Sequence, residues 1–252
     1  VVIILPFVIF DAKYYIPEIS IIVLCFIIGI LIQISQAFYF IALSKSEAGI
    51  IAGYWNIVPA LLPIASYFID KQILSHWQYF GIIVLLSSST LLCFTDTRRQ
   101  TRVHGLLLMI VASVIMTIVF LLEKKVYNNI DFVIGFFFIT FGVILSGVSP
   151  LLFRSVRRMF VVKRVKLIKS IHIFLLIEFV NLLALAASQF AINIGIPSLV
   201  SAVQTTLPGY TFLISLLLWR KTRKIGTDQQ IKRLIIKLLI VMLMILGVWM
   251  IY

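Results

Sequence analysis

The sequence predicts an all-α, polytopic transmembrane helix bundle, and three observations carry that prediction. Of the 252 residues, 62% are of hydrophobic types and only 12% are charged. A soluble globular chain holds roughly 45–50% apolar and about 25% charged residues, so this one lacks the charge to cover a water-facing surface. Eight stretches reach the ~20 mostly apolar residues that a helix needs to cross ~30 Å of hydrocarbon. Finally, the net charge of +13 falls in short clusters between long uncharged runs. That is how loops flanking membrane spans are charged; a nucleic-acid-binding face would line a folded polar surface, so no nucleic-acid partner is expected.

The elements follow in order. The chain opens at Val1 inside the apolar run 1–10, with neither the basic n-region nor the small-residue cleavage site of a signal peptide. This run reads as the tail of a helix whose beginning is missing. Full spans follow at 19–43, 48–69, 77–95, 104–122, 132–153, 171–194, 198–219 and 234–252. In lipid every backbone donor and acceptor must be paired within the segment, which makes these stretches helices. A membrane barrel would need alternating ten-residue strands, and the runs do not alternate. Inside these limits the only fully charged groups are Glu178 and Lys237. Lys237 is near enough to a helix end to snorkel.

The connections suggest a repeat. Two neighbouring pairs of spans are joined by very short links, 44–47 and 195–197. Ser35-Gln36 precedes one link and Ser188-Gln189, 153 residues on, precedes the other. Pro59 and Pro208 hold matching places in the helices that follow, 149 residues apart. The difference between the two offsets is about one helical turn. The expected organisation is a first repeat over 1–95, lacking its first helix and most of its second, and a second over 104–252. The complete protein would have ten spans, five per half. An odd number makes the halves enter the membrane from opposite sides, the inverted-topology design of many secondary transporters.

Orientation follows from the basic residues. Eighteen of the 22 fall on one side: Lys45, Arg98, Arg99, Arg102, seven between 154 and 169, and seven between 220 and 237. Lys13, Lys71, Lys124 and Lys125 fall on the other. The basic side is expected to face the cytoplasm, with Tyr252 outside or in a lumen. The stretch 154–170 mixes seven bases with apolar residues and is expected to lie on the anionic inner leaflet, each base contributing ~1 kcal/mol. A solvated basic loop is the alternative.

Catalysis finds little to work with. His76, His104 and His172 stand apart at span ends, and Cys25 and Cys93 lie singly in apolar runs. No carboxylate pair lies within the membrane spans and no metal-ligand spacing or Gly-rich phosphate loop occurs, so neither an enzyme nor a cofactor is expected. Polar residues within spans are more telling, because each costs free energy unless it pairs or faces water. Glu178, Asn181, Ser188, Gln189 and Asn193 form one stripe of their helix, and Gln33, Gln36 and Tyr39 lie along a face of 19–43. Tyr54-Trp55-Asn56 stands just before Pro59; Ser201, Gln204, Thr205 and Thr206 stand before Pro208. At the 149 offset Trp55 matches Gln204 and Asn56 matches Thr205. The candidate substrate-contacting set is therefore Gln36, Tyr54, Trp55, Asn56, Asn181, Gln189, Gln204 and Thr205. Glu178 is the candidate for coupling, with an interfacial ion pair as its alternative. Interhelical hydrogen bonds worth ~0.6 kcal/mol each are the plain alternative for the uncharged residues.

These residues carry a resemblance. Ala42-Leu43-Ser44 with Glu47-Ala48-Gly49, running on to Val58-Pro59-Ala60-Leu61-Leu62, is similar to the link, small-residue helix start and mid-helix proline of the EamA-type carriers of the drug/metabolite transporter superfamily. Gln78 and Gly81 fit the family's fifth-helix opening, and 197–208 is similar in the second half. The resemblance implies a central cavity lined by 19–43, 48–69, 171–194 and 198–219, and alternating-access transport of a small organic metabolite such as an amino acid, sugar, nucleoside or drug-like molecule. It implies a multi-pass protein of the cell membrane, and a homodimer is compatible with it. Two departures stand out: Asp70-Lys71 replaces the family's glutamate, and the basic bias puts the C-terminus on the far side. A lipid or lipid-linked-sugar flippase, or a non-transporting membrane scaffold, are the rival expectations.

Overall fold

A computed structural model describes residues 17–45, 48–95, 103–158, 171–222 and 228–251. The run 1–10, the cluster Arg98, Arg99 and Arg102, and residues 159–170 of the expected leaflet-binding stretch 154–170 lie outside the described residues. Those that are described form helices, with no strand among them. In order they are α1 (Ile19–Lys45), α2 (Ala48–Trp55), α3 (Ile57–Asp70), α4 (His76–Thr95), α5 (Val103–Tyr127), α6 (Phe132–Val148), α7 (Ile171–Ile194), α8 (Pro197–Gln204), α9 (Leu207–Thr222) and α10 (Asp228–Ile251). Among the described residues, five segments are long and apolar enough to cross a membrane: Ile19–Lys45, Ile51–Ile69, Gly105–Tyr127, Phe132–Leu152 and Ile171–Ile194. Ile235–Ile251 is a shorter apolar helix.

Boundaries depart from the sequence reading where local chemistry overrides hydropathy. The span expected at 104–122 runs on through Glu123, Lys124 and Lys125 to Tyr127, because two of those side chains find polar partners. The span expected at 132–153 tightens into a 3₁₀ turn at Ser149–Leu152, where Pro150 removes a backbone donor. Each of the stretches expected at 48–69 and 198–219 is divided in two, at Asn56 and at Thr205-Thr206.

The chain forms two compact units. One takes residues Val1–Ile34 and Ile118–Gly195, the other Ser35–Thr117 and Ile196–Tyr252, so α1 and α5 contribute to both. In the first unit α1 meets α6 backbone to backbone. A Cβ on Gly29 would stand 2.5 Å from the Val143 nitrogen, and one on Gly142 would stand 3.1 Å from Phe26 Cα. Small residues of this kind let helices approach where lipid supplies no hydrophobic drive to associate. Phe26 closes the contact, its ring 5.8 Å from that of Phe141.

In the second unit α4 is the central helix. Its first turn is fixed by a capping box, in which Ser75 N–H donates to Gln78 Oε1 at 3.0 Å and Gln78 N–H to Ser75 Oγ at 3.3 Å. One helical turn on, Gly81 meets α10 at Gly247: a Cβ at 81 would lie 3.0 Å from the Gly247 carbonyl oxygen. Around this crossing Ile82, Leu85, Leu92, Ala202, Ile240, Val241, Met244 and Ile251 make a continuous core. The two residues with which the family resemblance opens its fifth helix thus have structural work here, Gln78 as a cap and Gly81 as a contact. The short helices α2 and α8 also pack against α4, and α8 against α3. Ser66 and Ser198 hydroxyls lie 3.2 Å apart across the α3–α8 contact. The helix α3 ends on Lys71, held at φ 51° and ψ 28°.

Candidate functional site

The sequence-derived candidates fall into two groups, one in each unit. In the second unit are Gln36, Tyr54, Trp55, Asn56, Gln204 and Thr205. Asn56 is buried in the turn between α2 and α3. Its Nδ2 donates to Ser89 Oγ at 3.0 Å and to Thr90 Oγ1 at 3.1 Å, and Ser89 Oγ returns a bond to Oδ1 at 3.3 Å. Both ends of the amide are therefore tied to α4. Trp55 is half-buried, and its ring meets that of Tyr39 edge-on at 5.5 Å. Tyr54, Gln36 and Gln204 are half-buried as well. Thr205 is buried and turns its hydroxyl back onto the Ala202 carbonyl at 2.7 Å.

The backbone explains why these residues sit where they do. Pro59 has no N–H for the carbonyl of Trp55 four residues back, and Pro208 has none for that of Gln204. Each helix answers by tightening one turn ahead of its proline. Asn56 N–H donates to Gly53 and Thr205 N–H donates to Ala202, both three residues back. The two turn residues have nearly the same geometry, φ −62° and ψ −8° at Asn56 and φ −66° and ψ −10° at Thr205.

In the first unit the candidates are Glu178, Asn181 and Gln189. Glu178 and Asn181 are exposed, in a run from Ile171 to Asn181 where every residue is exposed. Gln189, two turns further along α7, is 1% exposed. Its Nε2 donates to Glu123 Oε1 at 2.9 Å, and the Tyr127 hydroxyl donates to its Oε1. Glu123 itself is 3% exposed, and Tyr127 is buried. Next to them Lys124 Nζ donates to the carbonyls of Ile192 at 3.1 Å and Asn193 at 2.8 Å. These belong to the last turn of α7, whose carbonyls lack helical partners and carry the negative end of the helix dipole.

Glu123, Lys124 and Tyr127 are the residues that sequence reasoning missed. With the span closed at residue 122, Glu123-Lys124-Lys125 read as charges beyond its end. The four-residue spacing of Glu123 and Tyr127, which puts both on one helix face, was the available signal. Lys237, assigned to a helix end, lies with its Nζ 5.5 Å from the centre of the Phe212 ring, where a cation is attracted by the ring face. No group of three or more His, Cys, Asp or Glu side chains arranged to hold a metal occurs among the described residues. No protein-family model and no curated protein matches the chain.

Proposed function

We propose that this protein is a membrane carrier of a small organic metabolite, built as two antiparallel five-helix repeats of the EamA type and working by alternating access. The observation that carries the reading is the matched interruption of two helices. The turns at Asn56 and Thr205 stand 149 residues apart in the chain, at the same distance before a proline and with the same backbone dihedrals. Interrupted apolar helices at corresponding positions of two halves are the feature by which inverted-repeat transporters mark their binding region. On this reading, five of the eight full spans are the long apolar segments already described, and α4, the α8–α9 pair and α10 supply the rest.

Substrate contacts fall to Tyr54, Trp55, Asn56, Gln204 and Thr205, with Gln36, Asn181 and Gln189 as further polar residues of the transport path. The Tyr39–Trp55 pair offers apolar ring surface, and the α8 end with its turn brings amide and hydroxyl side chains, Gln204 and Thr205. Such a pairing suits a molecule with one planar or apolar part and one polar part. A set of residues of this kind selects by shape and hydrogen bonding more than by charge, since none of them is ionised.

The test is counterflow in proteoliposomes holding the full chain, with a panel of radiolabelled amino acids, sugars and nucleosides. One chemical class should exchange saturably against its own unlabelled pool, and Gln204→Ala should slow that exchange. Exchange of no member of the panel, together with flipping of fluorescent phospholipids, would put a lipid flippase in place of this reading.

A further inference from the structure

We propose that Glu123 is a proton-binding site, and that the Gln189 amide links its protonation state to the Tyr127 hydroxyl. A carboxyl group in the candidate span Gly105–Tyr127, almost wholly removed from solvent, is costly and is retained where it does chemistry. Its hydrogen-bond partner is the neutral Gln189 amide and not a cation. Lys124, the neighbouring base, spends its ammonium on the carbonyls of Ile192 and Asn193. Among the described residues, the titratable groups facing this cluster are Tyr127 on the same helix and Cys25 on α1. From α6 the neighbours are Phe132, whose ring centre lies 5.4 Å from that of Tyr127, and Gly135, whose missing side chain leaves room for the tyrosine ring.

The link follows from the donor and acceptor inventory. As a carboxylate, Glu123 only accepts. The observed arrangement suits that state: Nε2 of Gln189 donates to Glu123, and the tyrosine donates to Oε1. As a carboxylic acid, Glu123 gains an O–H donor. The amide can then turn over, its oxygen accepting from the acid and its nitrogen donating to the Tyr127 oxygen. In both arrangements the carboxyl keeps its bond to the amide and the amide keeps its bond to the tyrosine, and the turn of one amide carries the protonation state of Glu123 to Tyr127, whose hydroxyl changes from donor to acceptor towards Gln189. Atom balance is simple, since one proton joins or leaves a Glu123 oxygen and nothing else is bonded or broken. That the proton also drives transport rests on the carrier reading above; that the site binds it does not.

The two parts are separable by experiment. Infrared difference titration of the full chain in phosphatidylcholine vesicles should show a protonated-carboxyl band that appears and disappears reversibly with pH. The band should vanish in Glu123→Gln, persist in Glu178→Gln, and change frequency in Tyr127→Phe and Gln189→Leu, whose loss alters the hydrogen bonding of the carboxyl. Circular dichroism of the variants guards against misfolding, and Glu123→Asp supplies a conservative variant that should restore a titrating band. A band retained in Glu123→Gln, or none in the wild type, overturns the proposal. Coupling is then read in the same vesicles with the radiolabelled panel and an imposed pH gradient. A one-to-one coupled carrier accumulates its substrate about tenfold per pH unit, and Glu123→Gln should bring that ratio close to unity. If no panel member moves at all, the carrier reading fails while the infrared result still decides the site. If uptake in the wild type ignores the gradient, the coupling role fails alone.

Discussion

Asn56 and Thr205 end their helices in the same backbone turn, each three residues ahead of a proline, but their side chains do different things. The Asn56 amide reaches across to Ser89 and Thr90 of α4, whereas the Thr205 hydroxyl bonds back to its own helix at Ala202. The first is a tie between helices and the second is local. Asn56→Ala is expected to lower stability by about 1–3 kcal/mol, because it takes a partner from the buried Ser89 hydroxyl and from the half-buried Thr90 hydroxyl. Thr205→Ala should cost less than about 1 kcal/mol, since no partner on another helix loses a bond. Thermal unfolding of the two variants in detergent measures the difference, and equal losses would mean that Asn56 is not the interhelical tie described.

Helix approach in the two units rests on glycine at different tolerances. A methyl at Gly29 would fall 2.5 Å from a backbone nitrogen of α6, which cannot move aside, while one at Gly81 would meet α10 at 3.0 Å. Gly29→Ala should therefore destabilise by about 2–3 kcal/mol and Gly81→Ala by about 1–2 kcal/mol, within the range that overpacking costs. Melting temperatures of the purified variants check the order.

Lys71 holds the left-handed conformation that closes α3, the sole non-glycine residue with positive φ among the described residues. A side chain in that region costs roughly 1–2 kcal/mol, part of which glycine gives back as extra freedom of the unfolded chain. Lys71→Gly should raise stability by about 0.5–1 kcal/mol. A decrease would show that the lysine side chain makes a contribution larger than its backbone strain.

Lys124 closes the C-terminal end of α7 from outside the helix. Lys124→Met keeps the length of the stem and removes the ammonium, and should cost about 1–2 kcal/mol through the lost charge–dipole interaction and two carbonyl bonds. Lys124→Arg should recover most of the loss. Hydrogen exchange at the last turn of α7 gives a local reading, with faster exchange in the methionine variant than in the arginine one.

Much of the fold was legible because the segments are long and unbroken by charge. The helical class and the segments at 19–43 and 171–194 follow from hydropathy alone, and Pro59 and Pro208 announced the interruptions, though without saying that each divides its span. Boundaries at charged residues were harder. Glu123 and Lys124 look like the water-facing end of a span, and only their partners on α7, some 66 to 69 residues further along the chain, explain why the helix continues. Hydropathy sums cannot register a bond between residues so far apart. The same limit acted on the candidate site. Gln189 and Glu178 belong to one polar stripe on paper, yet one is buried against Glu123 and the other is exposed, because α7 acquires close neighbours only over its second half.

The antiparallel arrangement proposed for the two halves is open to one direct measurement. With Cys25 and Cys93 replaced by alanine, single cysteines at Ser44 and at Ile194 stand at the two short helix links. A membrane-impermeant maleimide applied to right-side-out and inverted vesicles should label the two positions from opposite faces, Ser44→Cys from the cytoplasmic one. Labelling of both from the same face would mean that the halves run parallel, and the account of a carrier built from inverted repeats would fail.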